Sequence, residues 1–274
     1  MLGSRADAED TVQDAYLRWH RTPAAEIRSV EAWLVTTVTR LAIDRLRAAQ
    51  TERAHYIGPW LPEPFVGEAS APPADVPTEL TSSLSVAFLA VLERLAPEER
   101  AAFLLHDVFD SEYAEIAEIL GKSEEACRQI VSRARKRVRE DRPRVQVSES
   151  ARKGVIERFV NALLTQNKSE LMNLLAVDVG WTSDGGGKAK AARKVLHGNE
   201  YVADFAIGVI GRYAPRVELH FITVNGELGL ALHADGHLMS VISFVTDGER
   251  ILDVYSVLNP EKLQGMQQWG RVMR

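Results

Sequence analysis

The chain has 274 residues, is 46% hydrophobic and carries a formal net charge of −5. Its length is typical of about two domains. No apolar run is long enough to span a bilayer, and residues 1–20 are too acidic for a secretory signal. The single cysteine excludes an internal disulfide framework and a zinc site built on paired cysteines. We expect a cytoplasmic protein without a membrane partner, a metal or another cofactor.

The first predicted helix covers residues 5–21 and is acidic outside one apolar side. The apolar side carries Val12, Ala15, Tyr16 and Trp19, and the acidic residues include Asp7, Glu9, Asp10 and Asp14. Acidic residues are favourable in the first turn of any helix, so a solvated face explains them. A docking face for a basic partner explains them equally well, and charge alone leaves both interpretations open.

A second helix is predicted from about Ser29 to Thr51, after the break at Pro23. Its inner stripe is predicted to be Leu34, Val38, Leu41 and Ala42. Its outward side is predicted to carry Thr36, Thr37, Thr39, Arg40, Asp44 and Arg47, with Trp33 near the start. Cations and hydroxyls beside an aromatic ring suit unstacked DNA, where bases stack and phosphates need positive charge. A purely structural role for Trp33 in the core remains open.

Residues 56–79 are predicted to be a linker, because prolines and glycines exclude a helix or a central strand. Proline stiffens such a segment. Tyr56, Trp60 and Phe65 lie within it, and these aromatic residues predict that its first half docks on another surface.

Residues 80–142 are predicted to hold four helices, over 80–95, 97–108 and a final pair. Gly121 can end the third helix and Ser123 can cap the fourth. The fourth helix is predicted to bury Cys127, Ile130, Val131, Ala134 and Val138. Its outward side presents basic and amide or hydroxyl side chains, namely Arg128, Gln129, Ser132, Arg133, Arg135 and Lys136. The pattern indicates a helix-turn-helix whose second helix can reach DNA bases, although a helical hairpin with a solvated basic face remains open.

These segments, in this order, resemble a bacterial RNA polymerase sigma factor of the extracytoplasmic-function (ECF) class. The matching stretches are residues 6–15 (ADAEDTVQDA), 32–34 with 44–47 (AWL, DRLR), and 113–121 with 132–137 (YAEIAEILG, SRARKR). Residues 58–64 (GPWLPEP) match a subgroup with a fused C-terminal domain. Family members have a further helix before the first of these stretches, so residues 1–55 are expected to form sigma region 2 without its first helix.

The resemblance assigns partners and roles. Core RNA polymerase would bind the acidic helix through Asp7, Glu9, Asp10 and Asp14. Melted −10 promoter DNA would lie against Trp33, Thr37, Arg40 and Arg47. The −35 element would be read by the helix carrying Arg128, Gln129, Ser132, Arg133, Arg135 and Lys136. A net charge of −5 is unusual for a protein that binds DNA unaided. The resemblance accounts for this charge, because polymerase would supply most of the nonspecific affinity for DNA.

Residues 143–274 are predicted to begin with helices and end with a four-stranded meander. A helix capped by Ser148, a short helix after Asn167 and a strand over 177–182 come first. A helix over 199–213 follows a flexible loop at 184–188. Asn225-Gly226, Asp235-Gly236 and Asp247-Gly248 are strong hairpin signals between the last strands. This order predicts an α+β domain with a concave, cone-like core.

The C-terminal half resembles the SnoaL-like branch of the nuclear-transport-factor-2-like fold. Residues 184–188 (DGGGK) and 259–263 (NPEKL) match motifs of the same sigma subgroup, in which this domain regulates activity within the chain. The resemblance implies regulatory contacts by Trp60, Leu61, Pro62, Asp184, Gly185, Gly186, Gly187, Lys188, Asn259 and Pro260. The overall prediction is a multidomain protein, with two all-α sigma domains, the second containing a helix-turn-helix, before an α+β cone-shaped SnoaL-like domain with a curved antiparallel sheet.

Other functions stay open from the residues themselves. Enzymes of this fold use acids, histidines or tyrosines inside the cone, and the candidates by residue type are Asp184, Asp253, His220, His233 and Tyr255. No acid–base pair can be placed, so no catalytic residue is predicted, and His233 and His237 are expected to face solvent. A small-molecule sensor or an isomerase- or cyclase-like enzyme with a DNA-binding helix-turn-helix is the alternative, and it would add a small-molecule ligand as a partner. A dimeric repressor is disfavoured by the negative charge.

Overall fold

The computed structural model describes residues 1–67, 85–141, 147–214 and 216–266. The chain forms two compact units, Met1–His55 with Leu89–Arg142, and Tyr56–Phe88 with Pro143–Arg274. This division departs from the predicted boundaries, because the start of the predicted linker belongs to the C-terminal unit. The linker residues 68–79 and the first residues of the helix predicted over 80–95 lie outside the described residues.

The first unit is helical. Its elements are α1 (Arg5–Arg21), a short 3₁₀ turn (Ala24–Glu26), α2 (Val30–Arg53), α3 (Val86–Leu92, of which Leu89–Leu92 lie in this unit), α4 (Pro97–Asp107), α5 (Tyr113–Leu120) and α6 (Glu124–Asp141). α1 begins and ends where the sequence predicts. The Ser4 side chain caps α1 by accepting a hydrogen bond from the Asp7 amide, which satisfies one free N–H of the first turn.

The buried stripe of α2 differs from the predicted one. Thr39 was predicted to face outward but is only 7% exposed, whereas Leu34, predicted to face inward, is 38% exposed. Leu41 and Ala42 of the predicted stripe are buried, as are Thr39, Ile43 and Leu46. Thr39, Ala42, Ile43 and Leu46 follow the i, i+3, i+4, i+7 spacing of one helix face, so the buried face overlaps the predicted one and also contains a threonine.

The helix-turn-helix prediction is confirmed in its local geometry. Gly121 ends α5 in the left-handed conformation with φ of 64°, and the Ser123 hydroxyl accepts the Ala126 amide at the start of α6. All five predicted core residues of α6 are buried. One of them, Cys127, has a thiol pKa raised by burial, which fits a structural rather than a reactive cysteine.

The second unit begins with strand β1 (Val66–Gly67). Its other elements are α7 (Glu149–Leu164), α8 (Lys168–Leu174), β2 (Leu175–Asp184), β3 (Leu196–His197), α9 (Asn199–Tyr213), β4 (Val217–Val224), β5 (Glu227–Ala234), β6 (His237–Thr246), β7 (Ile251–Val257) and α10 (Pro260–Leu263). Ser148 caps α7 as predicted, and Asn167 caps α8. No helix among the described residues is long and apolar enough to cross a membrane.

The strands form one sheet in the order β1-β4-β5-β6-β7-β2-β3. The meander of β4 to β7 is antiparallel as predicted, but β2 runs parallel to β7, so the sheet is mixed. β2 precedes the meander in the chain and is joined to it through α9, and such long connections permit parallel pairing. Val66 pairs with Val224 on β4, which makes the linker an edge strand of this sheet.

The predicted turns lie between the meander strands. Asn225 and Gly226 both have positive φ, as do Asp235 and Gly236, which is the conformation of tight type I′ hairpins. The third turn is longer, and the Asp247 side chain accepts the amides of Glu249 and Arg250.

The three longer helices of this unit pack on the concave face of the sheet. Their buried side chains include Phe159, which meets Phe244 of β6 edge to face with ring centres 5.6 Å apart.

Candidate functional site

The outward side of α6 is exposed as predicted. Arg128, Gln129, Ser132, Arg133 and Lys136 all face solvent. Their exposure leaves a basic surface available for DNA.

Arg135 behaves differently from its neighbours on α6. Its guanidinium donates to both carboxylate oxygens of Asp107 at 2.6–2.9 Å, and this hydrogen bonding raises the Arg135 pKa. Arg128 pairs with Glu124 at 2.8 Å and lies over the Tyr113 ring. The structure therefore uses Arg135 to tie α6 to α4, within the same unit.

The predicted −10 residues lie on α2, and two of them already have partners. Arg40 donates from Nε to the carbonyl oxygen of Ile119 and from a terminal nitrogen to that of Glu118, both at 2.9 Å. Arg47 pairs with Glu98 at 2.6 Å. The carbonyl groups of the last helical turn lack helical partners and carry partial negative charge, so a guanidinium suits them. Arg40 thus joins the helix predicted to read the −10 element to the helix-turn-helix.

The remaining two predicted −10 residues, Trp33 and Thr37, are half-buried. The Trp33 ring meets Trp19 of α1 edge to face, with centroids 5.5 Å apart. One of its faces is therefore used in packing α1 against α2.

The acidic residues of α1 surround one arginine of α2. Arg45 lies 2.8 Å from Asp14, 3.3 Å from Asp10 and 3.8 Å from Asp7, and the hydrogen bond to Asp14 raises its pKa. Glu9 pairs with Arg5 on the helix surface.

Large apolar side chains are exposed beside these acids on α1. Val12 is 63% exposed, Tyr16 60% and Leu17 44%. An acidic helix that also exposes apolar side chains has the composition of a docking face rather than of a merely solvated surface.

The predicted regulatory residues of the second unit meet at one buried carboxylate. Asp184 ends β2 and is fully buried. Its two oxygens accept the Tyr56 hydroxyl at 2.5 Å, the Leu61 amide at 2.9 Å and the Lys262 ammonium at 2.7 Å. Asn259 adds a hydrogen bond to the Tyr56 oxygen at 2.9 Å. We call these residues, with Trp60, the Asp184 cluster.

Lys262 completes the charge balance of this cluster. Its ammonium also donates to the Leu61 carbonyl oxygen at 2.5 Å and lies 3.2 Å from the centre of the Trp60 ring. A buried carboxylate is tolerated only when it is paired and hydrogen-bonded, and both conditions hold here. The linker backbone is therefore fixed by both its amide and its carbonyl at Leu61.

The three glycines after Asp184 permit the linker to approach closely. A Cβ atom at Gly186 would lie 2.5 Å from the Asn259 amide nitrogen and 2.9 Å from the Tyr56 hydroxyl. A Cβ atom at Gly187 would lie 2.8 Å from the Ile57 side chain. Both glycines have positive φ, and Gly185 has no room for a side chain beside Ala189. The loop predicted to be flexible instead packs closely against residues 56–58 through Gly185, Gly186 and Gly187, and we call these three residues the glycine seat.

Other predicted contact residues lie around this seat. Pro62 is buried, Pro260 opens α10, and Lys188 pairs with Glu261 at the surface.

Sequence reasoning missed two members of the cluster. Tyr56 was recognised only as a docking aromatic residue, and Lys262 only as part of a motif. Burial, and then the hydrogen bond to Asp184, raise the pKa of Tyr56, so its hydroxyl stays protonated and can donate. No local signal marked Lys262, because its neighbour Glu261 is exposed and a solvated lysine would fit the same segment.

The cone encloses an apolar cavity of about 370 Å³, between α7, α9 and the concave face of the sheet. None of the five catalytic candidates by residue type lines it. His233 is 3% exposed, so the prediction that it faces solvent was wrong, whereas His237 is exposed. The His233 ring packs against His220 of the neighbouring strand, with centroids 5.1 Å apart. Among the described residues, no group of three or more His, Cys, Asp or Glu side chains could hold a metal ion.

The chain is similar to known proteins along nearly its whole length. The family models "Sigma-70 region 2" and "Sigma-70, region 4" match residues 1–52 and 85–138. The ECF RNA polymerase sigma factor SigJ of Mycobacterium tuberculosis is 37% identical over 276 residues, covering 97% of this chain and 88% of that protein. Probable ECF sigma factor SigI of that organism is 34% identical over 177 residues, covering 64% and 60%. The crystal structure of SigJ matches with a TM-score of 0.76 over 96% of this chain and 91% of that chain.

Proposed function

This chain belongs to the extracytoplasmic-function (ECF) RNA polymerase sigma factors, and we propose that its SnoaL-like C-terminal domain regulates it in cis through the Asp184 cluster. Its sigma regions 2 and 4 support promoter-specific initiation of transcription with core RNA polymerase. The predicted membership, the helical domains and the α+β C-terminal fold are thereby confirmed.

We assign contacts with the promoter and with polymerase to side chains of three helices, and exposure supports the assignment most directly on α6. On α6, Arg128, Gln129, Ser132, Arg133 and Lys136 would meet the −35 element, because they are free to enter a major groove. On α2, Trp33, Thr37, Arg40 and Arg47 would meet the −10 element. On α1, Asp7, Glu9, Asp10 and Asp14 would meet polymerase, supported by the exposed apolar side chains beside them. The protein would act in the cytoplasm, without catalysis of its own.

One observation carries the regulatory proposal. Asp184 of the C-terminal domain binds the Leu61 amide, and Lys262 of the same domain binds the Leu61 carbonyl. Leu61 lies in the segment that connects the two promoter-reading modules in sequence. When residues 56–67 dock on the C-terminal domain, fewer residues remain to link the two promoter-reading modules. The length of such a link determines which pairs of DNA sites the two modules can occupy at the same time.

The test is run-off transcription with purified core polymerase on fragmented genomic DNA of the source organism, with the 5′ ends of transcripts sequenced. Asp184→Asn removes the charge partner of a buried ammonium, so we expect the linker to be released. The matched control is Asp235→Asn, which changes an exposed aspartate at a hairpin of the same domain. Hydrogen–deuterium exchange of residues 56–66 reports docking independently of transcription.

Release of the linker should change the transcript yield from the same promoters by about tenfold, which corresponds to 1.4 kcal/mol. An increase identifies docking as a restraint, and a decrease identifies it as a scaffold for the active form. Released linker with an unchanged yield would refute regulation through this cluster. The absence of any promoter-specific transcript would refute the promoter assignments.

A second candidate function is the sensing of a small molecule by the C-terminal domain. The apolar cavity inside the cone supports it, since pockets of about 300–1,000 Å³ are the usual size for small ligands. The charged residues of the lining are exposed, and none of the catalytic candidates by residue type lines the cavity, which favours binding over isomerase- or cyclase-like catalysis.

A further inference from the structure

The lining of the cone cavity is mainly apolar, although the buried residues Ser183, Ser240 and Ser256 also line it. Buried walls include Phe159, Trp181, Leu230 and Ile242. Only three charged residues line the cavity, and they are the exposed side chains of Lys190, Asp204 and Arg212. Charge is therefore confined to the part of the lining that also reaches solvent.

The charges of this rim are not balanced. Asp204 shares the Lys168 ammonium with Glu200, at 2.8 Å and 3.3 Å, so the charge of its carboxylate is partly compensated. Lys190 and Arg212 form no ion pair with any residue that the structure describes. A mainly apolar chamber whose opening carries two unpaired cations and one partly compensated carboxylate has a net positive rim, which matches a molecule with an apolar body and a negatively charged head.

The same segment that carries Lys190 also forms a wall beside the linker. Ser183, Lys190, Ala191 and Ala192 line the cone cavity, and they also line a cleft of about 350 Å³ beside Ile57 and Gly58. This segment directly follows the glycine seat that holds Tyr56 and Ile57. A ligand head drawn to Lys190 would move or stiffen a wall that the docked linker shares.

We propose that the cone cavity binds a small amphipathic carboxylate, with its apolar body in the cavity and its head between Lys190 and Arg212, and that occupancy alters linker docking. The binding part stands on the cavity alone. The effect on docking rests on the proposed regulation in cis.

The binding test uses the full chain and three probes of equal chain length, namely decanoate, decanol and decyltrimethylammonium. Titration calorimetry, with quenching of tryptophan fluorescence as a second signal, measures each affinity, since Trp181 lines the cavity. We expect decanoate to bind saturably and the cation to bind at least about tenfold more weakly, because charge-assisted hydrogen bonds contribute on that scale.

Variants locate the head and the body of the ligand. Lys190→Gln and Arg212→Gln should each weaken decanoate binding about tenfold while leaving decanol nearly unchanged. Arg193→Gln is the matched control, because Arg193 lies on the same loop but lines only the cleft beside the linker. Met239→Trp should weaken both decanoate and decanol by filling the cavity.

The outcomes separate the two parts of the proposal. Equal binding of all three probes, loss of binding with Arg193→Gln alone, or no saturable binding of decanoate would overturn the site. Decanoate that binds as expected but leaves exchange of residues 56–66 unchanged would overturn the coupling and retain the site. Failure of the regulatory proposal would be seen as unchanged transcription by the Asp184→Asn variant. That result is independent of the affinity of the cavity for decanoate.

Discussion

Arg40 of α2 and Ile119 of α5 are joined by a hydrogen bond of 2.9 Å from the guanidinium Nε to the carbonyl oxygen. The two residues are 79 positions apart in the chain. Arg40 is assigned to the −10 element and Ile119 to the helix-turn-helix that reads the −35 element. A side chain cannot hold melted DNA and these carbonyl groups at once. The proposed role of Arg40 at the −10 element therefore requires that promoter binding break this contact.

The first prediction concerns that contact. Arg40→Gln should lower the stability of the first unit by about 1–2 kcal/mol, because two charge-assisted hydrogen bonds at a partly exposed site are lost. It should also reduce open-complex formation at promoters. Thermal unfolding measures the former and permanganate footprinting of melted thymines the latter.

Arg40→Lys is the control for charge, since a lysine cannot donate in the same fork. Unaltered footprints together with lowered stability would limit Arg40 to a structural role.

The second prediction concerns the DNA-facing side of α6. Arg133→Ala should weaken binding at the −35 element, while folding is nearly unaffected, because the side chain is exposed. Arg135→Ala should instead destabilise the unit, because Asp107 loses its bidentate partner. Chemical denaturation and footprinting of holoenzyme across the −35 element distinguish the two. If Arg133→Ala lowered stability and Arg135→Ala weakened binding at the −35 element, Arg135 would have to leave Asp107 and contact DNA.

The third prediction tests the buried pair Asp184–Lys262. Lys262→Met should destabilise the C-terminal unit by about 3–5 kcal/mol, because a buried carboxylate loses its cation. Combining it with Asp184→Asn should cost less than the sum of the single changes, since no uncompensated charge remains. Urea denaturation of the four proteins gives this cycle. Strict additivity would show that the two groups do not depend on each other.

The fourth prediction concerns the glycine seat. Gly186→Ala should release the linker, because the added Cβ would lie 2.5 Å from the Asn259 side chain and 2.9 Å from the Tyr56 hydroxyl. Faster amide exchange at residues 56–66 is the expected result. Gly154→Ala is the matched control, since it lies in a helix with open space around its Cβ position. Slow exchange in Gly186→Ala would mean that the loop can shift without losing the linker.

The fifth prediction concerns acid stability. Burial, and secondarily the charge of His220, lower the pKa of His233 below its ordinary value of 6.5, with Glu218 acting in the opposite direction. The unfolded chain therefore binds a proton at a higher pH than the folded chain does, so stability is lost as pH falls below about 6.5. His233→Phe should flatten the fall in melting temperature between pH 7.5 and pH 5. An equal slope in both proteins would exclude His233 as its source.

Local sequence patterns were sufficient to predict most of the helices, strands and turns of this chain. The spacing of apolar residues, the caps at Ser123 and Ser148 and the Asn-Gly and Asp-Gly turns depend on near neighbours, so helices and hairpins were predictable. The ordered sigma motifs likewise lie in contiguous stretches. The glycine loop at 184–188 was predicted as a contact region, although its close packing against residues 56–58 was not predicted.

Contacts between side chains that are far apart in the sequence could not be predicted and became visible in the folded chain. Tyr56 and Asn259 are 203 residues apart, and Lys262 and Leu61 are 201 apart. Nothing in the local pattern distinguishes Lys262 from a solvated lysine or Thr39 from an outward threonine. Burial creates that difference, because a polar group removed from water must find a partner, and the available partner depends on how distant segments pack.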